Sequence, residues 1–300
     1  PALMQGAANE SLDFIAYCEK RSRERKVSDH TKRRYKVFTD FLKTYGKIKE
    51  FSDINISKVR ELDEYLHAKG LEQSTVYCYH KYLKLFVRDA CIDDLIDKNP
   101  YNHLPFKIEK GDKQFVDCLP IDKFESIKRL HLQYDYLAKA RDLFLMQCYT
   151  GLAYSDLMVF DFTKCKQADG KYYYHAKRVK TDTDFTFQLL AGAVSVLKKY
   201  NFKLPCISNQ KYNEHLKELG KAAGLTGEWI DYEYRLQEKI EVHTPKCDLA
   251  THTARRTFIV TALNEGVSTN LIMLITSHSD YKAMTPYIKA TMKGTGSVID

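Results

Sequence analysis

The spacing of apolar residues over the first hundred positions constrains the fold more than any other feature of this chain. Apolar side chains recur every three or four residues in four successive segments, which is the period of an amphipathic helix. The segments span residues 11–26, 29–46, 57–70 and 74–100. Ser74 and Thr75 resemble a helix cap, and Gly46, Gly70 and Asn99–Pro100 are stop signals. The pattern predicts a bundle of about four helices that ends near residue 100.

The rest of the chain mixes helical and strand periods. Lys171–Val179 and Asp184–Leu189 alternate apolar and polar residues and are rich in aromatic side chains, so they predict a β-hairpin that turns at Lys180–Thr183. Residues 229–242 are either irregular or a second hairpin. Helices are expected at residues 121–130, 136–149, 191–200 and 209–222, from residue 252, at 269–276 and around 287. The predicted fold class is mainly α with a small β component.

A polar and basic stretch without a clean period separates these two parts. It covers residues 105–117 and is interpreted as a linker between domains. We therefore expect a helical domain over residues 10–104 and a mixed α/β domain over residues 118–300. Residues 1–9 are small and polar, and we expect them to be a tag or a disordered end.

Composition narrows the possible function classes. The chain has 300 residues and a formal net charge of +8, which favours a polyanionic partner. No apolar run is long enough to cross a membrane, and no secretory leader opens the chain, so a cytoplasmic protein is expected. None of the eight cysteines stands in a CxxC or CxC spacing, which argues against a zinc site. No phosphate-binding glycine motif is present, and we expect no cofactor.

Basic residues concentrate on two of the predicted helices. Residues 20–36 hold nine lysines and arginines opposed only by Glu24 and Asp29, and residues 77–84 interleave lysines with aromatic side chains. A run of charge is often only a solvated helix face. Two such faces on one small bundle could instead clamp a duplex through its phosphates. The candidate DNA-binding residues are Arg21, Arg25, Lys32, Arg33, Lys36, Tyr79, Lys81 and Lys84.

Three stretches of the second part carry groups suited to phosphate chemistry. The first reads TGLAYSDL over residues 150–157, the second reads HTARRTF over residues 252–258, and the third reads SHSD over residues 277–280, with Tyr287 nine residues after His278. Together with the lysine-bearing hairpin, they resemble the tyrosine recombinases, or phage integrase family, and most closely the integrases of Bacteroides-type mobile elements. The resemblance covers residues 11 to 292.

The resemblance implies a mechanism and a role for each residue. Tyr287 would attack a DNA phosphodiester and form a 3′-phosphotyrosine. His252 and Arg255 lie at i and i+3, so a helix would place them on one face. Arg255 and His278 would bind the scissile phosphate, His252 would assist proton transfer, and Lys180 would protonate the leaving 5′ oxygen, with Lys177 as a competing candidate. Positioned cations would stabilise the transition state without a metal.

One position departs from the family pattern. Ala153 stands where the family motif has an arginine, and an alanine side chain cannot contact phosphate. By analogy with other phosphoryl-transfer arginines, its loss could lower the rate by about 10³–10⁵. Two explanations are open: an introduced substitution in a chain that binds DNA but cleaves it poorly, or natural divergence in which another cation such as Arg178 fills in. The intact flanking motif favours the first.

The resemblance also implies partners and biological context. Such recombinases act as tetramers on two DNA sites and exchange strands through a Holliday junction, so we expect a homo-oligomer on double-stranded DNA. Integration or excision of a bacterial mobile element, and a nucleoid-associated location, would follow. A type IB topoisomerase-like enzyme, a non-enzymatic DNA-binding relative of the recombinases and an RNA-binding helical protein are the alternatives.

Overall fold

The computed structural model describes residues 13–104, 107–110, 116–235 and 238–292. Contacts between Cα atoms divide the chain into two compact units. The first contains Pro1–Asp112 together with Tyr232–Glu241, and the second contains Lys113–Asp231 together with Val242–Asp300. The expected tag or disordered end at residues 1–9 lies outside the described residues, as does much of the expected linker at residues 105–117.

In the part that the structure describes, the first unit is a bundle of four helices. Their bounds are α1 Phe14–Glu24, α2 Asp29–Tyr45, α3 Ile56–Ala68 and α4 Gln73–Ile92. Asp13, Ser28 and Asn55 cap the first three, each accepting a hydrogen bond from a backbone N–H of the first turn. Gly46 ends α2 in the left-handed conformation (φ 72°), as its position predicts.

The fourth helix departs from the expected ends. Its N-cap is Glu72, so Ser74 and Thr75 lie inside the first turn and do not cap the helix. The helix ends at Ile92, and Pro100–Asn102 form a separate 3₁₀ turn. The bundle core is aromatic: Phe38 and Phe86 are almost fully buried, and their rings stack at 6.0 Å between centroids.

The second unit packs shorter elements around one helix that is buried over most of its length. Its helices are α5 Ile121–Arg129, α6 Asp135–Thr150, α7 Tyr154–Met158, α8 Ala191–Lys199, α9 Asn209–Ala222, α10 Thr251–Asn264, α11 Thr269–Thr276 and α12 Thr285–Met292. Its core centres on α6, whose Leu143, Phe144 and Met146 are fully buried. Burying side chains of this size contributes roughly 1.5–3 kcal/mol each to folding.

Two small antiparallel sheets complete the fold. The first has strands β1 Cys165–Ala168, β2 Lys171–Lys177 and β3 Asp184–Gln188 in the order β1-β2-β3, with Tyr174 paired to Phe187. The hairpin β2–β3 is the one that the sequence predicts, whereas β1 was not predicted. The second sheet pairs β4 Glu228–Arg235 with β5 Glu238–Pro245, which resolves the choice at residues 229–242 in favour of a hairpin. The predicted class, mainly α with a small β component, is confirmed.

Candidate active site

The first turn of α10 carries the His252 and Arg255 pair. The helix begins at Thr251, and the Thr253 hydroxyl accepts from the N–H of Ala250 at its N-cap. His252 and Arg255 are three residues apart in this helix and therefore lie on one face. The Arg255 guanidinium donates through Nη1 to the carbonyl of Gly151 (2.9 Å) and through Nη2 to the carbonyl of Thr276. Burial, and then the nearby Arg178, lowers the pKa of Arg255 to about 10.

Gly151 makes this arrangement possible at the C-terminus of α6. It adopts a left-handed conformation (φ 65°), and a Cβ there would lie 2.5 Å from the ring of Phe258 on α10. Only glycine satisfies both the backbone conformation and the close approach. The packing of α10 against α6 therefore brings Arg255 within reach of the Gly151 carbonyl.

Arg178 is the second guanidinium of the site. It follows β2 directly and is 5% exposed. Its Nη1 donates to the Asp156 carboxylate (2.7 Å), its Nε to the Ser277 hydroxyl (2.9 Å), and its Nη2 to the Ile275 carbonyl. The guanidinium also stacks on Phe185, with 3.6 Å from its central carbon to the ring centroid. Desolvation lowers the pKa of Arg178, and Asp156 opposes that shift.

The C-terminal end of α11 supplies most of the acceptors for these two cations. Ser277 adopts the left-handed conformation (φ 54°), and the N–H of His278 bonds back to the carbonyl of Met273 (3.0 Å). This is a Schellman-type ending with serine where glycine is usual. The turn brings the Ile275 and Thr276 carbonyls and the Ser277 hydroxyl to the two guanidinium groups.

His278 and Tyr287 lie next to each other beyond this turn. Their ring centroids are 6.2 Å apart, and Nδ1 of His278 contacts the Thr276 hydroxyl at 2.7 Å. Burial, followed by the positive charges of Arg255 and Arg178, lowers the pKa of His278 to about 4. The Tyr287 backbone N–H bonds to Met284, a fully buried residue that anchors α12.

His252 and Lys180 lie at the exposed edge of the group. Burial of the ring, then Arg255 and Lys180, lowers the pKa of His252, although the residue as a whole remains exposed. Lys180 is exposed in the turn between β2 and β3. The competing Lys177 pairs with Asp182 at 3.6 Å, which favours Lys180.

Ala153 lies one helical turn before Asp156, whose carboxylate accepts from Arg178. It is the N-cap of α7, and its carbonyl accepts from the N–H groups of Asp156 and Leu157. Asp156 in turn accepts from Arg178 and from the N–H of Val179. Asp156 therefore joins Arg178 to the first turn of α7, which Ala153 caps. The carboxylate of Asp156 thus bonds to groups at the end of β2, 22 and 23 residues away in the sequence.

The candidate DNA-binding residues of the first unit fall into different environments. Arg25 is ion-paired with the buried Asp89, and Arg21 lies 3.9 Å from the same carboxylate and 3.8 Å from Asp93. These two arginines join helices within the bundle. Lys36 pairs with Asp40 on the surface, Arg33 is exposed, and Lys32 donates to the Arg23 carbonyl.

The candidate DNA-binding residues on α4 also fall into different environments. Tyr79 packs into the aromatic core, 4.3 Å from Phe41 between ring centroids, whereas Lys81 and Lys84 are exposed. The lysines line a cavity of about 610 Å³ with Tyr77, Tyr101 and Lys107. Lys107 was missed because it lies in the stretch interpreted as a linker. Only its position in the folded chain reveals it.

The described residues offer no metal or membrane feature. Within the described ranges, no group of three or more histidine, cysteine or acidic side chains is arranged to hold a metal ion. In the same part of the chain, no helix combines the length and the apolar character needed to span a bilayer.

Comparison with known proteins agrees with this fold. Residues 13–109 match the phage integrase SAM-like domain family. A lambda integrase dimer bound to a COC′ core site is similar in structure, with a TM-score of 0.71 and 14% identity over 96% of this chain and 98% of that one. The Tn1549 transposon integrase in complex with a circular intermediate DNA gives 0.67 and 16% over 95% and 100%.

The XerH site-specific recombinase bound to palindromic difH substrate is a third similar structure, with a TM-score of 0.59 and 16% identity over 81% of this chain and 71% of that one. No curated protein matches the chain. The resemblance to tyrosine recombinases that the motifs indicated is thus confirmed in the fold. The narrower likeness to Bacteroides-type integrases stays a prediction.

Proposed function

We propose that this protein is a site-specific DNA recombinase that cuts and rejoins duplex DNA through a bond to Tyr287. One observation carries the proposal: Arg178, Arg255, His278 and Tyr287, which come from four separate segments of the chain, converge within the second unit. A phenol beside two buried guanidinium groups and an imidazole is the arrangement that attack on a phosphodiester needs.

The reaction balances without a cofactor. The Tyr287 oxygen forms a bond to phosphorus, and the bond from phosphorus to the 5′ oxygen breaks. The phenol proton passes to the neutral imidazole of His252, and Lys180 gives a proton to the leaving 5′ oxygen. The 3′-phosphotyrosine keeps the ester bond, so a 5′ hydroxyl of another strand can reverse the step and complete strand exchange.

The two arginines retain hydrogen-bond capacity for the phosphate. A guanidinium has five N–H groups. Arg178 uses three of them and Arg255 uses two on protein acceptors, so both have donors left for phosphate oxygens. Fixed donors cost no reorganisation when the pentavalent transition state forms.

The position of Arg178 bears on the alanine at position 153. We infer that Arg178 provides the second guanidinium and that Ala153 does not disable the enzyme. Three observations support this inference. Arg178 is buried, it donates to Asp156 one turn beyond Ala153, and its charge lowers the pKa values of Arg255 and His278. The opposing expectation is that an introduced alanine impairs the chain. The two views predict different yields of covalent DNA adduct when Ala153 is replaced by arginine.

Covalent capture of DNA on Tyr287 tests the proposed function. The full chain is incubated with a library of nicked duplexes, which trap the phosphotyrosine because the 5′ fragment diffuses away, and adducts are recovered and sequenced. We expect a DNA adduct that Tyr287→Phe abolishes. No adduct from the full chain on duplexes that it binds would overturn the proposal.

The same assay tests Ala153. Ala153→Arg is expected to change the adduct yield by less than a few fold, whereas Arg178→Ala is expected to lower it by about 10³ or more. A large gain from Ala153→Arg would instead support impairment. Relaxation of supercoiled plasmid without sequence preference would indicate a topoisomerase, and equal competition by RNA would indicate an RNA-binding protein.

The biological setting is also part of the proposal. A transposon integrase and a phage integrase among the similar structures support integration or excision of a mobile element. Assembly as a tetramer on two DNA sites, and association with the bacterial nucleoid in the cytoplasm, remain expectations. Sizing the protein with its selected DNA site would test the tetramer.

A further inference from the structure

Thr276 occupies a particular place beside the candidate active site. It is the last residue of α11, it is 2% exposed, and it carries no charge. Its carbonyl accepts from Nη2 of Arg255, and its hydroxyl oxygen lies 2.7 Å from Nδ1 of His278. One neutral residue therefore contacts two of the groups proposed to bind the phosphate.

The hydroxyl proton of Thr276 is already used. Its oxygen lies 2.6 Å from the carbonyl oxygen of Ile272, one turn earlier in α11, and two oxygens approach so closely only with a proton between them. The hydroxyl therefore offers only a lone pair to His278. A contact of 2.7 Å to the ring then requires the proton to be on Nδ1.

We propose that Thr276 is a positioning residue that holds one proton of His278 on Nδ1 and thereby leaves Nε2 to take up a proton from solvent, and to donate it in a hydrogen bond to the reacting phosphate, when DNA binds. Its hydroxyl connects the Ile272 carbonyl to the imidazole, and the left-handed backbone of Ser277 turns the ring back toward it. The ring orientation and its tautomer are set together, as in enzymes in which a neighbouring acceptor fixes a catalytic histidine.

The charged groups around His278 make a fixed tautomer important. Arg255 on α10, Arg178 after β2 and Tyr287 on α12 face His278 in the described part of the chain. Two cations disfavour a doubly protonated ring before DNA arrives. A neutral ring without a fixed tautomer would divide its proton between the two nitrogens, and in part of the molecules Nδ1 would be left to accept.

The first test is independent of activity. Nitrogen chemical shifts of the histidine side chains distinguish the two tautomers, and His278→Gln identifies the signal of interest among the ten histidines. We expect the Nδ1-protonated form in the full chain and in Thr276→Ser, and a mixture or the Nε2-protonated form in Thr276→Val. Finding the Nε2-protonated form in the unmodified chain, or no change in Thr276→Val, would overturn the inference.

The second test measures catalysis and rests on the proposed function. Thr276→Val keeps the shape of the side chain and the carbonyl that holds Arg255. It is expected to slow adduct formation by about 10- to 100-fold, as loss of the partner that orients a ligating histidine does, and to alter the pH profile. Thr276→Ser restores the rate.

The control is Thr39→Val, which removes a buried hydroxyl bonded to the Lys36 carbonyl in the first unit and should leave the rate unchanged. An unmodified chain that forms no adduct would reject the proposed function, while the tautomer measurement would still decide the role of Thr276. A normal rate and pH profile for Thr276→Val in an active enzyme would overturn that role.

Discussion

Arg25 and Arg21 of the helical unit and Arg255 of the second unit are held by different kinds of acceptor. In the helical unit, Arg25 and Arg21 lie against the carboxylates of Asp89 and Asp93, which neutralise them. In the second unit, both protein bonds of Arg255 go to neutral carbonyls, those of Gly151 and Thr276. A carbonyl orients a guanidinium but leaves its charge in place. The same residue type thus joins helices in one unit and remains available to an anion in the other.

Arg178 lies between these two cases. It has one carboxylate partner, Asp156, and two neutral partners, the Ser277 hydroxyl and the Ile275 carbonyl. The ion pair is buried on both sides, at 4% and 5% side-chain exposure. Buried pairs of this kind fix geometry more than they add net stability. Arg178 is therefore a structural residue of this unit, and the proposed function also makes it a ligand of the phosphate.

The largest expected effect is the loss of adduct formation when Arg255 is replaced by lysine. Arg255→Lys keeps the charge but cannot reach the Gly151 and Thr276 carbonyls and a phosphate together, so adduct formation should fall by about 10³-fold or more. Arg25→Lys, the matched change in the helical unit, should alter the rate by less than a few fold. Similar losses in both variants would contradict the distinction between the two units.

A second prediction concerns stability in the helical unit. Asp89→Ala leaves Arg25 and Arg21 without their buried partner, and the free energy of unfolding should fall by about 3 kcal/mol. Chemical denaturation monitored by circular dichroism measures it. The control Asp40→Ala, which breaks an exposed pair with Lys36, should cost less than about 1 kcal/mol. A loss below that level for Asp89→Ala would show that the carboxylate is not structural.

A third prediction follows from the pKa of His278, which is lowered from 6.5 to about 4. The unfolded chain binds more protons than the folded chain between these values, so stability should fall as the pH is lowered through this window. The pH dependence should be weaker in His278→Gln. If phosphate binding restores the proton, complex formation near neutral pH takes up protons, which calorimetry in buffers of different ionisation enthalpy detects. Equal pH dependence in the two proteins would reject this assignment.

The smallest predicted effect concerns salt dependence of DNA binding. If exposed Lys81 contacts a phosphate, Lys81→Ala should reduce the slope of log affinity against log salt by about 0.9. Arg21→Ala should leave the slope nearly unchanged, because its carboxylate neighbours already compensate its charge. Fluorescence anisotropy at several salt concentrations gives both slopes. A larger change for Arg21→Ala would reverse the interpretation of the two residues.

Local patterns predicted the elements of this fold well. Apolar spacing and the stop at Gly46 located α2, and the alternation on either side of Lys180 located the hairpin β2–β3. Helix and strand periods depend on neighbouring residues, so a single sequence contains them. The short strand β1 lacks a clear alternation and was missed because only its pairing with β2 defines it.

Contacts between residues far apart in the sequence could not be predicted from local patterns. Motif spacing brought His252, Arg255, His278 and Tyr287 together as candidates, and the structure places them in one unit. Nothing in the local sequence showed that Asp89 binds Arg25, 64 residues before it, or that the partly buried Tyr79 packs against the aromatic core. The contributions of Thr276 and Ser277 were missed for the same reason: each depends on a turn of the backbone that spacing does not reveal.

The left-handed serine at the end of α11 combines an unfavourable backbone conformation with a favourable side-chain hydrogen bond. Glycine at position 277 would relieve a backbone conformation that disfavours L-residues by roughly 1–2 kcal/mol, but it would remove the hydroxyl that accepts from Nε of Arg178. Losing that bond would leave Nε of the buried Arg178 unpaired, at a cost of about 1–3 kcal/mol, so laboratory selection for thermal tolerance alone would gain little from Ser277→Gly. Selection for turnover would keep the serine.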